Sequence, residues 1–272
     1  MSNTQPDSLL ILVCTYNERN NLPTLFEQIE ACVPNAKILV VDDNSPDGTS
    51  DWVEQQIKER KENVAFRSAE EASLASLATF AERRTTQTPS ISLIRRSGKL
   101  GLGTAIRAGM QFAIDNGYEW LLNLDADLSH SPSSIPSLLA KRDCADLVVG
   151  SRYVEGGGME GCSWKRVFVS KCANAYARRI IGWSVRDCSS AFRLYRVSCL
   201  RALKLNELRG TGYGFLEEVL WHLIDQGARL CEVGIVYTER REGKSKISIK
   251  EALSTIGSIH RVARLQRRRA NE

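Results

Sequence analysis

Histidine is scarce in this chain, at three residues in 272, and none of the eight cysteines stands in a CxxC pair. No ligand cluster for zinc is therefore on offer, and the scattered thiols (14, 32, 144, 162, 172, 188, 199, 231) read as reduced, mostly buried side chains. No apolar run approaches the ~18 residues of a membrane span. The first residues, Met1-Ser-Asn-Thr-Gln-Pro-Asp7, lack the basic and apolar regions of a signal peptide, which predicts a cytoplasmic protein. The first apolar run is followed by Cys14-Thr-Tyr-Asn-Glu18 and not by glycines, so the pyrophosphate loop of a nicotinamide oxidoreductase is missing. Internal repeats, low-complexity segments and an obvious interdomain linker are absent too.

What is present describes an ordinary globular protein, with 43% hydrophobic and 25% charged residues. The net charge of +5 is unevenly placed. From Glu239 to Glu272 there are ten basic and four acidic side chains, a local +6, and the other 238 residues carry −1. A basic C-terminal segment suggests an anionic partner there.

Taken in order, the chain alternates apolar runs with amphipathic stretches. Leu9 to Val13 reads as a strand and about Asn20 to Cys32 as a helix, with Leu22, Leu25, Phe26 and Ile29 on one face. Ile38 to Val41 is a second strand, and a helix runs from about Ser50 to Arg60. This rhythm predicts an α/β fold with a mostly parallel sheet and right-handed crossovers. Residues 69–89 break it and read as a surface insertion, with one helix from Ala72 to Arg83. Ile91 to Ile94 is the third strand. Gly98, Gly101 and Gly103 then open a helix to about Asn116; they match neither the Walker spacing nor GxGxxG, so a phosphate role and a packing role both stand. The fourth strand starts at Trp120 and carries Asp125 and Asp127; further strands are predicted at 145–149, 192–195 and 230–237, with helices at 164–181 and 212–225. Glu155-Gly-Gly-Gly-Met159 is a mobile loop on composition. A last helix places Ile249, Leu253, Ile256, Ile259 and Ala263 on one face. That stripe either packs on the domain or lies on an anionic membrane, as basic amphipathic helices do.

The chemistry gathers around Asn123-Leu-Asp125-Ala-Asp127, at the end of an apolar strand. Residues two apart on a strand face the same way, so two carboxylates would meet at the carboxyl end, where open α/β sheets bind ligands. Like charges so placed need a cation between them, and oxygen-only ligands suit Mg²⁺ or Mn²⁺ bound with a diphosphate. The alternative is a solvated acidic turn. Asp42 reads as a turn or capping residue, Glu217 and Glu218 as favourable charges at a helix start, and His130 as structural or exposed.

Together these pieces resemble the dolichyl-phosphate (polyprenyl-phosphate) mannosyltransferases, inverting family 2 glycosyltransferases of the GT-A fold. The motifs occur in family order: TYNE at 15–18, VVDDNSPDGT at 40–49, GKLGLGTA at 98–105, DAD at 125–127, GSRY at 150–153, RDCSSAFRLYR at 186–196 and GKSK at 243–246. The resemblance implies a single Rossmann-like GT-A domain over residues 1–246, followed by the basic amphipathic helix at 247–272. It implies transfer of mannose from GDP-mannose to a polyprenyl (dolichyl) phosphate, giving a β-mannosyl phosphoryl polyprenol. The setting implied is the cytoplasmic face of a membrane, bound peripherally, with no nucleic acid involved.

Residue by residue, the resemblance puts Cys14, Tyr16, Glu18, Val41 and Asp43 around the donor nucleotide. It puts Asp125, Ala126 and Asp127 on its ribose, diphosphate and metal, and Arg240 and Lys246 in a loop that closes over it. Asp125, Asp127 and Ser129 are the implied metal set for Mg²⁺ or Mn²⁺. Arg152, Arg166 and Ser170 match the acceptor-phosphate positions; the alternative is that Arg152 is a surface ion pair and that Arg166 and Ser170 are ordinary helix residues. Asp127, Arg152 and Lys246 are the implied catalytic groups. Three positions depart from the pattern: Cys14 for the usual Pro, Ser129 for a frequent Gln, and Ala191 for a Gly. Many members also carry C-terminal membrane spans, so the likeness is to the short type. Two other readings stay open: a polyprenyl-phosphate glycosyltransferase using UDP-glucose or another donor, and a non-enzymatic membrane or nucleic-acid binder using the basic tail.

Overall fold

Leu9–Thr15 (β1) has no polar residue until Thr15, so neither of its faces can meet water, and every residue but Cys14 is buried. A strand of this kind belongs inside a sheet covered on both faces. Lys37–Asp42 (β2), Ile91–Arg95 (β3) and Trp120–Asp125 (β4) lie parallel around it, and Leu147–Ser151 (β5), Arg193–Arg196 (β7) and Leu230–Gly234 (β8) extend the sheet. The strand order is β3-β2-β1-β4-β7-β5-β8, and β7 runs antiparallel to both neighbours. This computed structural model describes residues 8–34, 36–74, 90–210, 212–239, 257, 259–264 and 266.

Alternation along the strands sorts the core into two layers. Leu10, Leu12, Leu39, Val41 and Leu121 face one side. There they meet Leu102–Asp115 (α3) and Tyr213–Asp225 (α7) through Ile106, Met110, Phe215 and Val219. Leu9, Ile11, Val13, Ile38, Val40 and Leu122 face the other. There they pack on Leu22–Cys32 (α1), Thr49–Leu74 (α2) and Ile135–Leu139 (α4). On α3, a Cβ added at Gly109 would lie 2.4 Å from the Leu12 side chain, so this glycine lets α3 rest directly on β1.

Several expectations are corrected. α2 extends to Leu74, well past the helix read to Arg60 and into the segment taken as an insertion; residues 75–89, including most of the expected helix at 72–83, lie outside the described residues. The expected last strand, 230–237, breaks at Ile235: β8 stays in the main sheet, and Val236–Thr238 (β9) pairs with Gly158–Glu160 (β6) in a second, two-stranded sheet. The stretch read as a mobile loop therefore contributes a strand. Its glycines serve close approach, since Gly234 crosses it where any Cβ would meet the Glu155 carbonyl oxygen at 2.2 Å. Trp164–Ile181 (α5) forms where expected and ends on Gly182 in the left-handed conformation. Val197–Arg201 (α6) follows β7.

Gly257, Ile259–Arg264 and Gln266 are helical. Ile259, Val262 and Ala263 are buried, the first two within the core layer that holds α3 and α7. Of the two fates left open for the C-terminal stripe, its described part takes the first and packs on the domain. Ile249, Leu253 and Ile256 lie outside the described residues. Among the described residues no helix is long and apolar enough to cross a membrane.

Candidate active site

The carboxyl ends of β1, β2 and β4 meet at one edge. Cys14 lies in register with Asp125, and the Asp43 amide donates to the Thr15 carbonyl at 3.0 Å. Three residues other than glycine adopt left-handed backbone among the described residues, and each follows one of these strands: Asn17, Asn44 and Leu128. Asparagine tolerates that conformation; leucine does so at a cost, which marks the Asp127–Ser129 turn as held in place by its surroundings. The strand ends at Asp125, so period-two alternation does not govern Asp127, contrary to the reading from spacing. The turn positions it instead, with the Ser129 amide donating to Asp127 Oδ1 at 3.0 Å. Asp127 is buried and Asp125 is partly open to solvent.

Asp43 is gripped from two directions. Arg96 ion-pairs with its Oδ1, and the Gly101 amide at the start of α3 donates to its Oδ2 at 2.7 Å. Arg96 also donates to Thr104 Oγ1. The glycine run at 98–103 thus presents an amide to Asp43, which is a structural use for it. Asp42 is the turn residue expected: fully buried, it accepts from Thr15 Oγ1, Ser50 Oγ, and the amide and hydroxyl of Ser45. Burial opposes its charge, but these hydrogen bonds outweigh it and hold the carboxyl below its ordinary range. Cys14 sits between Asp125 and Asp43. Although Cys14 as a whole is only half-buried, desolvation of its thiol first, then those two carboxylates, raises it above the usual range.

Of the other expected donor residues, Tyr16 stacks under Lys99, whose Nζ is 4.0 Å from the ring centroid. Glu18 accepts from the Asn21 side chain at 2.7 Å. Val41 and Ala126 are buried, so any contact they make with a ligand runs through the main chain. Arg240 and Lys246 lie outside the described residues.

His130, read from sequence as structural or exposed, is buried and faces Asp125, with Nδ1 3.9 Å from Oδ2. Its ring packs edge-on to Tyr237 at 5.5 Å. Tyr237 in turn lies beside both expected acceptor arginines: the guanidinium carbons of Arg152 and Arg166 are 5.8 and 5.5 Å from its ring centroid. Arg166 donates to the Tyr237 hydroxyl at 2.8 Å and pairs with Glu239 at 2.7 Å. Ser170 shares a 2.6 Å hydrogen bond with Tyr153, whose ring lies against Arg152. The three residues carried over to the acceptor phosphate thus gather around two tyrosines, one histidine away from Asp125.

Arg152 is an ion pair, but no surface one. Its Nε and Nη2 donate to the two oxygens of Asp187 at 2.8 and 2.7 Å, and its amide donates to the same carboxylate at 3.0 Å. Asp187 is fully buried. Burial disfavours its charge; Arg152 outweighs that and holds the carboxyl below the usual range. Among the described residues Nη1 of Arg152 makes no hydrogen bond. Asp187, Arg96, Tyr153 and Tyr237 carry the architecture of the site and were not singled out from the sequence. Asp187 is the second residue of the motif at 186–196 and Tyr153 the last of the motif at 150–153, and those were the available signals.

The residues fit a divalent ion bound with a diphosphate. The donor set is two carboxylates and the Ser129 hydroxyl, all oxygen. The Ser129 Oγ is buried without a hydrogen-bond partner, an unusual state for a hydroxyl and one that a ligand would satisfy. Among the described residues no three His, Cys, Asp or Glu side chains converge, so a fully protein-built cage is not what the site offers. The Ala191 departure has a plain reading: its backbone is not left-handed, and glycine is not required there.

Glu218 caps a loop and not its own helix, accepting from the Arg209 and Gly210 amides. Glu217 is buried, its Oε2 lacks a partner, and burial pushes its carboxyl up to about 8 against the opposing pull of Arg193.

A sequence profile of glycosyl transferase family 2 matches residues 10–204. The chain belongs to that family. It is a glycosyltransferase of the GT-A type, in keeping with the resemblance read from its motifs. An undecaprenyl-phosphate mannosyltransferase of Micrococcus luteus is 35% identical over 240 residues, 88% of this chain and 87% of that one. A polyprenol monophosphomannose synthase of Mycolicibacterium smegmatis is 35% identical over 264 residues, 96% of this chain and 89% of the relative. Among solved structures, glucosyl-3-phosphoglycerate synthase of Mycobacterium tuberculosis, in complex with Mn²⁺, UDP and glucosyl-3-phosphoglycerate, superposes with a TM-score of 0.60. At 15% identity over 95% of this chain and 80% of that one, it speaks for the fold alone.

Proposed function

We propose that this family 2 glycosyltransferase moves mannose from GDP-mannose to a polyprenyl phosphate, with inversion at the anomeric carbon. The observation that carries the reading is the gathering of Arg152, Arg166 and Ser170 around Tyr153 and Tyr237, one histidine away from Asp125. An acidic pocket suited to a metal–diphosphate and a basic pocket suited to a monophosphate are what such a transfer needs. The names of the two curated relatives support the acceptor class and the sugar.

Asp125, Asp127 and Ser129 would hold Mg²⁺ or Mn²⁺, whose charge would offset that of the departing diphosphate. The rest of the chemistry falls to the chain. The acceptor phosphate is already ionised at neutral pH, so no general base is assigned. An acceptor oxygen forms a bond to the anomeric carbon while the bond from that carbon to the diphosphate breaks, and the electron pair leaves with GDP. Arg152 is oriented by Asp187 so that Nη1 is left for the phosphate, and guanidinium geometry suits that anion. Arg166 can exchange Glu239 for the phosphate, since an exposed ion pair holds only weakly. Arg240 and Lys246 are proposed to add positive charge at the donor.

The test is incubation of the protein with Mg²⁺, a polyprenyl phosphate and radiolabelled GDP-mannose or UDP-glucose, followed by lipid extraction. Lipid label from GDP-mannose that mild acid releases and mild base does not, reduced roughly 100-fold by Asp127→Asn, is expected. Label from UDP-glucose alone would reassign the donor, and none from either would remove the proposal.

A further inference from the structure

Two buried rings, His130 and Tyr237, stand between the acidic pocket and the basic one, and the transfer chemistry uses neither. His130 follows Ser129 at the end of the Asp127–Ser129 turn. It is 4% exposed, and its ring is clamped between Phe192, with centroids 5.6 Å apart, and Tyr237, 5.5 Å away and nearly edge-on. The main chains are clamped as well. His130 and Tyr237 form an isolated antiparallel bridge, and the Thr238 amide donates to the Ser129 carbonyl at 3.0 Å. Interiors packed in this way pass displacements on, so the turn and β9 must move together. On its far side Tyr237, itself 8% exposed, carries both arginines: Arg152 and Arg166 lie against its ring, and its hydroxyl accepts from Arg166. Cations are held over a ring most firmly where water is excluded. Toward the acidic pocket, His130 Nδ1 is 3.9 Å from Asp125 Oδ2, about 1 Å beyond a hydrogen bond. Contacts of this length at active sites tighten when a ligand arrives. An ion on Asp125, Asp127 and Ser129 would draw in the turn that bears His130.

We propose that His130 and Tyr237 form a relay between the two sites. His130 ties the Asp127–Ser129 turn to Tyr237, and Tyr237 sets the guanidinium groups of Arg152 and Arg166, so that a filled donor site raises the affinity for the acceptor phosphate. Both are positioning residues, acting through Asp125 on one side and through the two arginines on the other. The identity of the two ligands rests on the proposed function, and the relay rests on the packing. The sign of the effect is diagnostic. GDP with one divalent ion keeps a net negative charge, as does a phosphate monoester, and neighbouring like charges repel. Charge alone therefore makes each ligand weaken the other, whereas the relay makes each strengthen the other by the same factor.

The test is calorimetric titration of a short, water-soluble prenyl phosphate into the full-length protein, alone and with Mn²⁺ and GDP, a pair that allows no turnover. Wild type should bind the prenyl phosphate roughly fivefold or more tightly when the nucleotide is present. His130→Phe keeps a ring against Phe192 and Tyr237 but loses the nitrogen facing Asp125. It should keep its unfolding midpoint and its nucleotide-free affinity, while the ratio of the two affinities falls to one or below. Tyr237→Leu should lose the ratio and also weaken phosphate binding, and Tyr237→Phe, which retains the ring, should keep the ratio. A residue with a purely structural role would lower stability and leave the ratio unmoved. A wild-type ratio of one or below, or a wild-type ratio in His130→Phe, would overturn the proposal. Coupled binding in a protein that transfers no mannose would support the relay and count against the proposed function; uncoupled binding in a protein that makes the mannosyl lipid would do the reverse.

Discussion

Asp187 offers the sharpest perturbation of the proposed acceptor side. Its carboxylate is fully buried and receives three N–H groups of Arg152, at 2.7, 2.8 and 3.0 Å. Asp187→Asn preserves volume but removes the charge, and the remaining oxygen can accept only part of that set. Removing one member of a buried ion pair costs about 3–5 kcal/mol, and the residual hydrogen bonding places this change near the lower end. With a urea dependence of about 3 kcal/mol per molar, the unfolding midpoint should fall by about 1 M. The sign with pH follows from the lowered carboxyl: the pair stabilises the fold above the ordinary aspartate range and stops doing so as pH falls through the native value. The wild-type advantage over Asp187→Asn should therefore shrink in acid.

Function should change along with stability, and selectively. An Arg152 free to turn loses a charged hydrogen bond to the acceptor phosphate, about 1.5–3 kcal/mol, which predicts a KM for polyprenyl phosphate raised roughly 10- to 100-fold. The KM for the sugar nucleotide should hold. A double change, Arg152→Met/Asp187→Leu, removes both charges and should recover most of the lost stability without recovering activity. Equal losses toward both substrates, or an unfolding midpoint unmoved by Asp187→Asn, would refute the reasoning.

Glu217→Gln should be more stable than wild type at pH 8 and nearly equal to it near pH 4. Wild type holds a carboxyl raised to about 8, so its stability falls by about 1.4 kcal/mol per pH unit from ~4.5 up to that value; denaturation across pH would show a gap that grows and then levels, and a constant gap would count against it. Glu239→Gln releases Arg166 from an exposed pair, so the acceptor KM should drop up to about fivefold; a rise would mean that Glu239 assists binding. At pH 7.5, iodoacetamide should modify the exposed Cys144 and Cys172 while leaving Cys14, its thiol raised by burial and two carboxylates, unlabelled by mass spectrometry.

The sheet was legible because its central strands β1 and β2 are apolar on both faces, and the sheet could be inferred before any pairing was known. Where local pattern and tertiary context diverged, the pattern failed. A single run of alternating residues, 230–237, became two strands in different sheets because the close crossing at Gly234 turns the chain. The antiparallel insertion of β7 leaves no mark in a buried strand. At the site, Asp43, Asp125 and the arginines proposed for the acceptor stood out by motif, but the groups that hold them did not. Arg96, Asp187 and Tyr237 act through partners 53, 35 and 71 positions away in the chain. Spacing within a single sequence carries no trace of such pairings. The Asp125–Asp127 argument rested on an inapplicable rule, since the strand ends at Asp125 and the second carboxylate sits in a turn with a left-handed Leu128.

The docking of the last described helix alters how deletions should be interpreted. Ile259 and Val262 occupy the same core layer as α3 and α7, and His260 bonds Tyr176 on α5 at 2.8 Å. Shortening the chain before Gly257 would unroof the C-terminal half of α5, the helix that carries Arg166 and Ser170. A truncated protein that no longer handles lipid would then be reporting a hole in its interior, and the same phenotype would be misread as the loss of a tether.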